Sequence, residues 1–181
     1  MAGIVAKNYC DAIFAVAQED NTLDLYKEQL LLVDDTLQDE QFRFVMSHPK
    51  LSHEEKKQLL ENVYGKVLDH TLLNFLKLLV DKGRFVRIHE IVKEFIKQYN
   101  EVNQIQVVYV SSANALRDEE AQRLKETLEK KLNKKIDMRQ RIDEDLMAGV
   151  RVKINDQVID NSAKARLQRL RKHVEESDVL D

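Results

Sequence analysis

The sequence predicts an N-terminal all-α bundle of six helices over residues 1–104, followed by a small α+β domain of order β-α-β-β-α over residues 105–181. Apolar residues recur at helical spacing through the first hundred positions. From about Asn103 they alternate with polar residues, which is typical of half-buried strands. Because the 181 residues include only four glycines and one proline, sharp turns are few and long regular elements are favoured.

Three apolar stripes predict the first three helices. The first helix ends near Gln18, and its stripe consists of Val5, Tyr9, Ala12, Ile13 and Val16. After an interruption at Asn21 and Thr22, the stripe of the second helix is Leu23, Tyr26, Leu30, Val33 and Leu37. A short third helix is predicted around residues 42–46 and ends before Pro49, because the residue before a proline disfavours helical backbone.

The fourth and fifth helices have clear start signals. Ser52 and Glu55 form a capping box, in which each side chain accepts a hydrogen bond from the backbone amide of the other residue. The helix that they open ends near Gly65. Asp69 is predicted to cap the fifth helix, residues 72–82, which is apolar on more than one face. Such a helix is either central to its domain or covered by a partner.

The sixth helix is predicted to lead almost directly into the second domain. It follows Gly83, which suits the position just after the end of a helix, and its stripe is Ile88, Ile91, Val92, Phe95, Tyr99 and Val102. The first strand, near residues 105–110, has apolar residues on both faces and is expected to be buried on both sides. A charged helix over residues 118–132 follows, and Asn133 suits its left-handed C-terminal cap.

The rest of the second domain is predicted as strands and a final helix. Apolar and polar residues alternate over residues 136–142, which indicates a strand with one solvent-exposed face. A hairpin follows, with residues 150–154 and 158–159 joined by Asn155 and Asp156, which tolerate the left-handed backbone that such turns need. The last helix has three candidate N-caps, Asp160, Asn161 and Ser162. Its apolar residues are Leu167, Leu170 and Val174.

Composition and charge exclude several classes of function. Residues 1–104 hold 13 basic and 17 acidic side chains and residues 105–181 hold 16 and 15, so neither part has the basic excess of a nucleic-acid-binding domain. The basic residues of the last helix are typical of a solvated face near a helix C-terminus. We find no signal peptide and no apolar run near the ~20 residues that cross a bilayer, so we expect membrane contact only through a partner.

Residue types that carry catalysis or bind metals form no recognisable group. The five histidines are scattered and lack the further ligands that a metal needs. The paired carboxylates fall on polar helix faces, first helical turns or a hairpin tip, without an apolar pocket. Cys10, the single cysteine, sits in an apolar helical pattern, where a buried thiol is expected. We therefore expect no enzymatic activity, no metal and no cofactor.

With catalysis and metal binding set aside, the sequence indicates surfaces that could bind partner proteins. The fifth helix is very apolar for one side of a small bundle, and the first helix has small residues that let another helix approach, namely Ala6, Ala12, Ala15 and Ala17. A groove between these two helices would suit an amphipathic helix from another protein. Alternatively both helices fill the core of the bundle, and the residue pattern alone does not separate these two interpretations.

Six segments, in order along nearly the whole chain, resemble a known family. They are AKNYCDAIF at 6–14, HPKLSHEEK at 48–56, NFLKLLVDKGR at 74–84, SANAL at 112–116, IDEDLMAGV at 142–150 and VIDNS at 158–162. Together they resemble the delta subunit of bacterial F-type ATP synthases, the counterpart of the mitochondrial oligomycin-sensitivity-conferring protein. Cys10 and Ala148 depart from the family pattern, which usually has alanine and glycine at these positions.

The resemblance implies a non-catalytic stator subunit of the proton-translocating ATP synthase, peripheral to the cytoplasmic face of a bacterial membrane. In that family the helical domain binds the N-terminal helix of an alpha subunit in a groove that involves the first and fifth helices. The smaller domain meets the C-terminal ends of the membrane-anchored b subunits. By this resemblance we expect alpha-subunit contacts at Tyr9, Ile13, Leu76 and Val80. We expect b-subunit contacts at Arg166, Arg169 and Leu170.

Two other classes of function are alternatives. A nucleic-acid-binding module would need a basic face with aromatic residues, and Tyr109 is the only aromatic residue after Tyr99. Another protein-binding adaptor, such as a regulatory enzyme subunit, would need a ligand pocket, and no polar constellation in the sequence indicates one.

Overall fold

The computed structural model describes residues 2–177, except for the side chains of residues 2, 170 and 172–177. The chain divides into two compact units between Tyr99 and Asn100, a few residues before the boundary expected from the sequence. In the part that is described, the first unit is helical and the second contains a four-stranded sheet and two further helices. The prediction of a mostly helical chain with a small mixed part is therefore confirmed.

Six α-helices begin in the first unit. They are α1 (Ala2–Glu19), α2 (Leu23–Thr36), α3 (Glu40–Ser47), α4 (His53–Tyr64), α5 (His70–Asp81) and α6 (Ile88–Val102), with a short 3-10 helix at Phe85–Arg87 before α6. The Ser52–Glu55 capping box is present at the start of α4. His48, before Pro49, has extended backbone at the end of α3, as predicted.

The core of the first unit combines apolar side chains from several helices. Its fully buried members include Leu30 and Val33 of α2, Leu60 and Tyr64 of α4, Leu72, Leu76 and Leu79 of α5, and Ile91 and Phe95 of α6. Phe14 of α1 packs edge to face on Phe95, with ring centroids 5.2 Å apart. Burying one such side chain stabilises a fold by roughly 1.5–3 kcal/mol.

The second unit contains β1 (Ile105–Ser112), α7 (Asp118–Leu132), β2 (Lys135–Ile142), β3 (Val150–Ile154), β4 (Gln157–Asp160) and α8 (Ala163–Ser177), with a short 3-10 helix at Glu144–Leu146. The strand order is β2-β1-β3-β4; β1 and β2 are parallel, and β3 is antiparallel to both β1 and β4. The predicted order β-α-β-β-α is wrong by one strand, because both arms of the hairpin join the sheet and three strands separate α7 from α8.

The core of this unit lies between α7 and one face of the sheet. Its buried residues are Val108, Val110, Leu128, Ile136 and Val152. The prediction that β1 is buried on both faces is wrong: Tyr109 alternates with Val108 and Val110 and is 50% exposed. The physical reason is that α7 packs against only the face that carries the two valines.

Three left-handed positions end helices or turn the chain where the sequence predicts them. Gly83, Asn133 and Asn155 have φ angles of 62°, 49° and 51°. Gly149, before β3, has φ of 83°, and a Cβ atom there would lie 2.6 Å from the carbonyl oxygen of Asn161. Only glycine combines this backbone conformation with so close an approach of two chain segments.

Candidate partner-binding surfaces

An aromatic contact joins α1 and α5. The rings of Tyr9 and Phe75 have centroids 6.4 Å apart and meet edge to face, with an interplanar angle of 63°. Tyr9 is half-buried, whereas Phe75 is buried. The two helices that the sequence suggests as the sides of a groove are therefore neighbours.

The four residues expected to contact an alpha-subunit helix differ in their exposure. Ile13, Leu76 and Val80 are at most 3% exposed and pack inside the first unit. Tyr9 keeps part of its surface open. Both interpretations of these helices thus have residues to support them: three of the side chains fill the core, and one lies at the surface. Contact with a partner stays a prediction for all four.

Partly exposed residues line the side of α1 that carries Tyr9. Val5, Tyr9, Ala12 and Val16 lie at positions i, i+4, i+7 and i+11 and therefore share one face of the helix. Val5 and Val16 are half-buried like Tyr9, and Ala12 is exposed. On α5, Leu78 is 44% exposed, three residues after Phe75. We call these five residues the α1–α5 rim: Val5, Tyr9, Ala12, Val16 and Leu78. Sequence reasoning did not select Leu78 as a site residue, although its place on an already apolar helix was a usable signal.

Gln29 of α2 fixes the connection that precedes α5. Its side-chain Nε2 donates to the carbonyl oxygen of Val67 at 3.1 Å, and its Oε1 accepts from the backbone amide of Asp69 at 3.0 Å. Gln29 is only 9% exposed, so both ends of its amide are satisfied by backbone. One side chain therefore sets the path of residues 67–69.

Asp69 links this connection to the first turn of α5. Its Oδ1 accepts from the amides of Thr71 at 2.8 Å and Leu72 at 3.4 Å, as predicted for an N-cap, and also from the hydroxyl of Tyr26 at 2.9 Å. Burial alone would raise the pKa of Asp69, but the Tyr26 hydroxyl and the two amides outweigh burial and lower it. Tyr26 and Gln29 of α2 together hold the start of α5 in place.

The last helix carries the residues expected to meet the b subunits. Arg166 and Arg169 are exposed, and the side chain of Leu170 lies outside the described residues. The guanidinium of Arg169 donates to the carbonyl oxygens of Ala165 at 3.2 Å and Asp160 at 3.3 Å. Leu167, on the same helix, is 55% exposed. The helix thus presents cations and an apolar side chain to solvent.

The junction between β4 and α8 is held by charged and capping groups. The hydroxyl of the buried Ser162 accepts from the amide of Ala165 at 3.2 Å, which makes Ser162 the N-cap among the three candidates. Ser162 also donates its own amide to Asp160 at 3.0 Å, and the guanidinium of Arg151 donates to Asp160 at 2.8 Å. Hydrogen bonds from Ser162, followed by that from Arg151, lower the pKa of Asp160 to about 2.

A surface cleft of about 480 Å³ lies among α2, α3, α6 and the 3-10 helix that precedes α6. Its apolar lining includes Met46 and Phe85, and its polar lining includes Asp34 and His89. His89 Nδ1 lies 2.7 Å from Asp34 Oδ1, so this histidine, which looks isolated in the sequence, has a carboxylate partner. Sequence reasoning did not find the cleft because its residues come from separate segments.

Within the described residues, no group of three or more histidine, cysteine or acidic side chains is placed to hold a metal ion. Cys10 is fully buried, as predicted, and burial raises the pKa of its thiol to about 12. No described helix is both long enough and apolar enough to cross a membrane.

Comparison with known proteins gives consistent matches over nearly the whole chain. The family model for the ATP synthase delta (OSCP) subunit matches residues 5–174. An ATP synthase subunit delta from Clostridium kluyveri is 32% identical over 167 residues, which is 92% of both chains. One from Bacillus cereus is 32% identical over 174 residues, covering 95% of this chain and 96% of the relative.

The fold also matches a solved structure. A chain in the cryo-EM structure of the Toxoplasma gondii mitochondrial ATP synthase hexamer superposes with a TM-score of 0.71, covering 96% of this chain and 97% of that one. Sequence identity is 21%, so this comparison bears on the fold.

Proposed function

Because the chain belongs to the ATP synthase delta (OSCP) subunit family, and is thus a non-catalytic part of the stator of the F-type ATP synthase, we propose which of its surfaces make the stator's two attachments. A stator must bind the catalytic head at one end and the peripheral stalk at the other, so that rotor torque drives ATP synthesis and does not turn the head. Each unit of this chain supplies one of these attachments.

The first unit binds the N-terminal helix of an alpha subunit along the α1–α5 rim. The rim combines a half-buried aromatic ring at Tyr9, a small exposed side chain at Ala12 and an exposed leucine at Leu78. An amphipathic helix docks through apolar residues at i, i+3, i+4 and i+7, and this strip presents matching apolar positions. Ile13, Leu76 and Val80 are buried in the core of the first unit, and we assign them contact with the partner only through small movements of the rim that expose their edges.

The six helices α1–α6 act as one bundle that holds this rim rigid. Their shared core includes Leu30, Leu60, Leu76 and Phe95, which come from four different helices. The hydrogen bonds from Tyr26 and Gln29 fix where α5 begins. A prearranged groove loses little conformational entropy when the partner helix binds.

The second unit binds the C-terminal ends of the b subunits through α8. We assign this contact to the residues expected from the sequence, Arg166, Arg169 and Leu170. Both arginines are exposed, as is Leu167 beside them. An exposed leucine beside cations suits a partner that carries both apolar and acidic residues. These attachments would hold the chain, through its partners, at the cytoplasmic face of the bacterial membrane.

The observation that carries the head attachment is the Tyr9–Phe75 contact beside the exposed Leu78. The head attachment is tested by isothermal titration calorimetry, in which the full chain is titrated with a synthetic peptide copied from the alpha-subunit N-terminus of the same organism. Leu78→Asp should weaken binding at least about tenfold, because a buried leucine contributes roughly 1.5–3 kcal/mol and 1.4 kcal/mol is tenfold.

Val63→Asp is the matched control, since Val63 of α4 is 41% exposed and lies outside the rim. The control should bind the peptide as the unchanged chain does. Absence of peptide binding by the unchanged chain, or equal weakening by the two aspartates, would contradict the groove assignment.

A further inference from the structure

The sheet of the second unit has a second face, opposite α7. Side chains alternate across a strand, so the residues between the core positions share this face. We call it the outer face, and its residues are Ile105, Val107, Tyr109 and Ser111 of β1, Lys135, Asp137, Arg139 and Arg141 of β2, Arg151 and Lys153 of β3, and Val158 and Asp160 of β4.

Tyr109 lies in a row that crosses all four strands. It is aligned with Arg139 on β2 and with Lys153 on β3, and Lys153 is aligned in turn with Val158 on β4. Neighbouring strands of a sheet lie about 4.7–4.9 Å apart, so long side chains at these aligned positions are in reach of one another. An aromatic ring thus stands between two cations.

The centre of the outer face is apolar and open. Tyr109 and Val158 are 50% and 54% exposed, and Ile105 and Val107 are half-buried. Ser111 is buried and accepts a hydrogen bond from the guanidinium of Arg141 at 2.8 Å, which holds that arginine at the face. An apolar strip along β1 is therefore flanked by long basic side chains.

The outer face carries a net positive charge, whereas the whole chain carries a net negative charge. Among its described residues are five cations and two carboxylates, although the whole chain carries a net charge of −3. Arg151 is engaged by Asp160 at 2.8 Å and Asp143 at 3.6 Å. In the described contacts Arg139 meets only the half-buried Asp137, at 3.4 Å, and Lys153 has no described ion-pair partner. The row beside Tyr109 is accordingly open to an anionic group.

We propose that the outer face is a docking surface for an acidic amphipathic segment of the peripheral stalk, separate from the contact through α8. This inference rests on the proposed function. The apolar residues of such a segment would cover Tyr109 and Val158, and its carboxylates would pair with Arg139 and Lys153. A single-stranded nucleic acid fits less well, because its binding platforms stack successive bases on several aromatic rings and this face has one.

Charge reversal tests the proposal. The soluble part of the b subunit from the same organism is titrated with the full chain, with the double variant Arg139→Glu, Lys153→Glu, and with the control Lys130→Glu, Lys134→Glu. All four positions are exposed, so thermal midpoints should stay close to that of the unchanged chain. Reversal at the outer face should weaken binding at least about tenfold and reduce its salt dependence, whereas the control should change binding by less than about threefold.

A photocrosslink identifies the occupant directly. With p-benzoylphenylalanine at position 109 of the full chain in assembled complexes, the expected adduct is with a b subunit, and position 130 should give none. Adducts with b from position 166 but not from 109, or equal binding by the two double variants, would overturn the outer-face inference and leave the stalk attachment standing.

Failure of the unchanged chain to bind b would overturn the inference and the stalk attachment together. Loss of single-stranded RNA binding in the outer-face variant, with b binding unchanged, would assign the face to nucleic acid and overturn the inference alone.

Discussion

Replacing Gln29 with alanine should loosen the start of α5 and lower the stability of the first unit. The change removes two hydrogen bonds, to the carbonyl oxygen of Val67 and from the amide of Asp69. Each such bond contributes about 0.5–1.5 kcal/mol net, which gives a loss of ~2 kcal/mol in the free energy of unfolding. For a unit of this size the corresponding fall in the thermal midpoint is about 8–16 °C.

The assay is urea and thermal unfolding of the full chain, with amide hydrogen exchange measured at the first turn of α5. Gln58→Ala is the matched control, because Gln58 lies exposed on α4 and the same atoms are removed. Tyr26→Phe should cost about 1 kcal/mol, and its combination with Gln29→Ala should depart from additivity, since both side chains act on Asp69.

A loss below about 0.5 kcal/mol for Gln29→Ala, equal to that of the control, would refute this reasoning. It would mean that water replaces both hydrogen bonds and that Gln29 does not position α5. Unchanged exchange protection at Thr71 and Leu72, with stability lowered, would instead place the loss elsewhere in the unit.

The remaining predictions concern a close approach, a titration and a partner contact. Gly149→Ala should destabilise the chain by about 2–3 kcal/mol in urea unfolding, against about 1 kcal/mol for Gly83→Ala, because both glycines have positive φ but only the first meets a backbone oxygen at 2.6 Å. Asp160 contributes stability that is present above its ordinary pKa of 3.8 and is lost as pH falls towards 2, so the urea midpoints of the Asp160→Asn variant and the unchanged chain should converge over this range. A difference between the two urea midpoints that is as large near pH 2 as it is well above pH 3.8 would contradict this prediction. Tyr9→Ala should weaken alpha-peptide binding about tenfold, and calorimetry showing unchanged affinity would remove Tyr9 from the site.

Element types and most boundaries follow from local patterns in the sequence. The helix at Asp118–Leu132 begins and ends where its charge pattern and Asn133 predict, and the capping box at Ser52 starts α4. These signals act over three or four residues, so a single sequence contains them completely. The hairpin around Asn155 is a signal of the same kind.

Features that depend on neighbours distant in sequence were not predicted. Apolar residues on both faces of β1 suggested burial on both sides, but coverage depends on where α7 packs, and Tyr109 is exposed. Gln29 gives no local sign that its amide holds a connection about forty residues away. The sequence places two apolar residues, Leu76 and Leu78, on the same helix. It does not show that Leu76 is buried and Leu78 is 44% exposed, because these exposures depend on where the neighbouring helices pack.

The central claim is that this chain ties the catalytic head to the peripheral stalk. Membranes depleted of the chain and of the catalytic head are mixed with purified heads, with or without the chain, and ATP-driven proton uptake is measured. We predict that heads bind the membranes and pump protons only when the chain is added, while ATP hydrolysis by free heads is the same with and without it. Equal head binding and proton pumping without the chain would contradict its role as a stator.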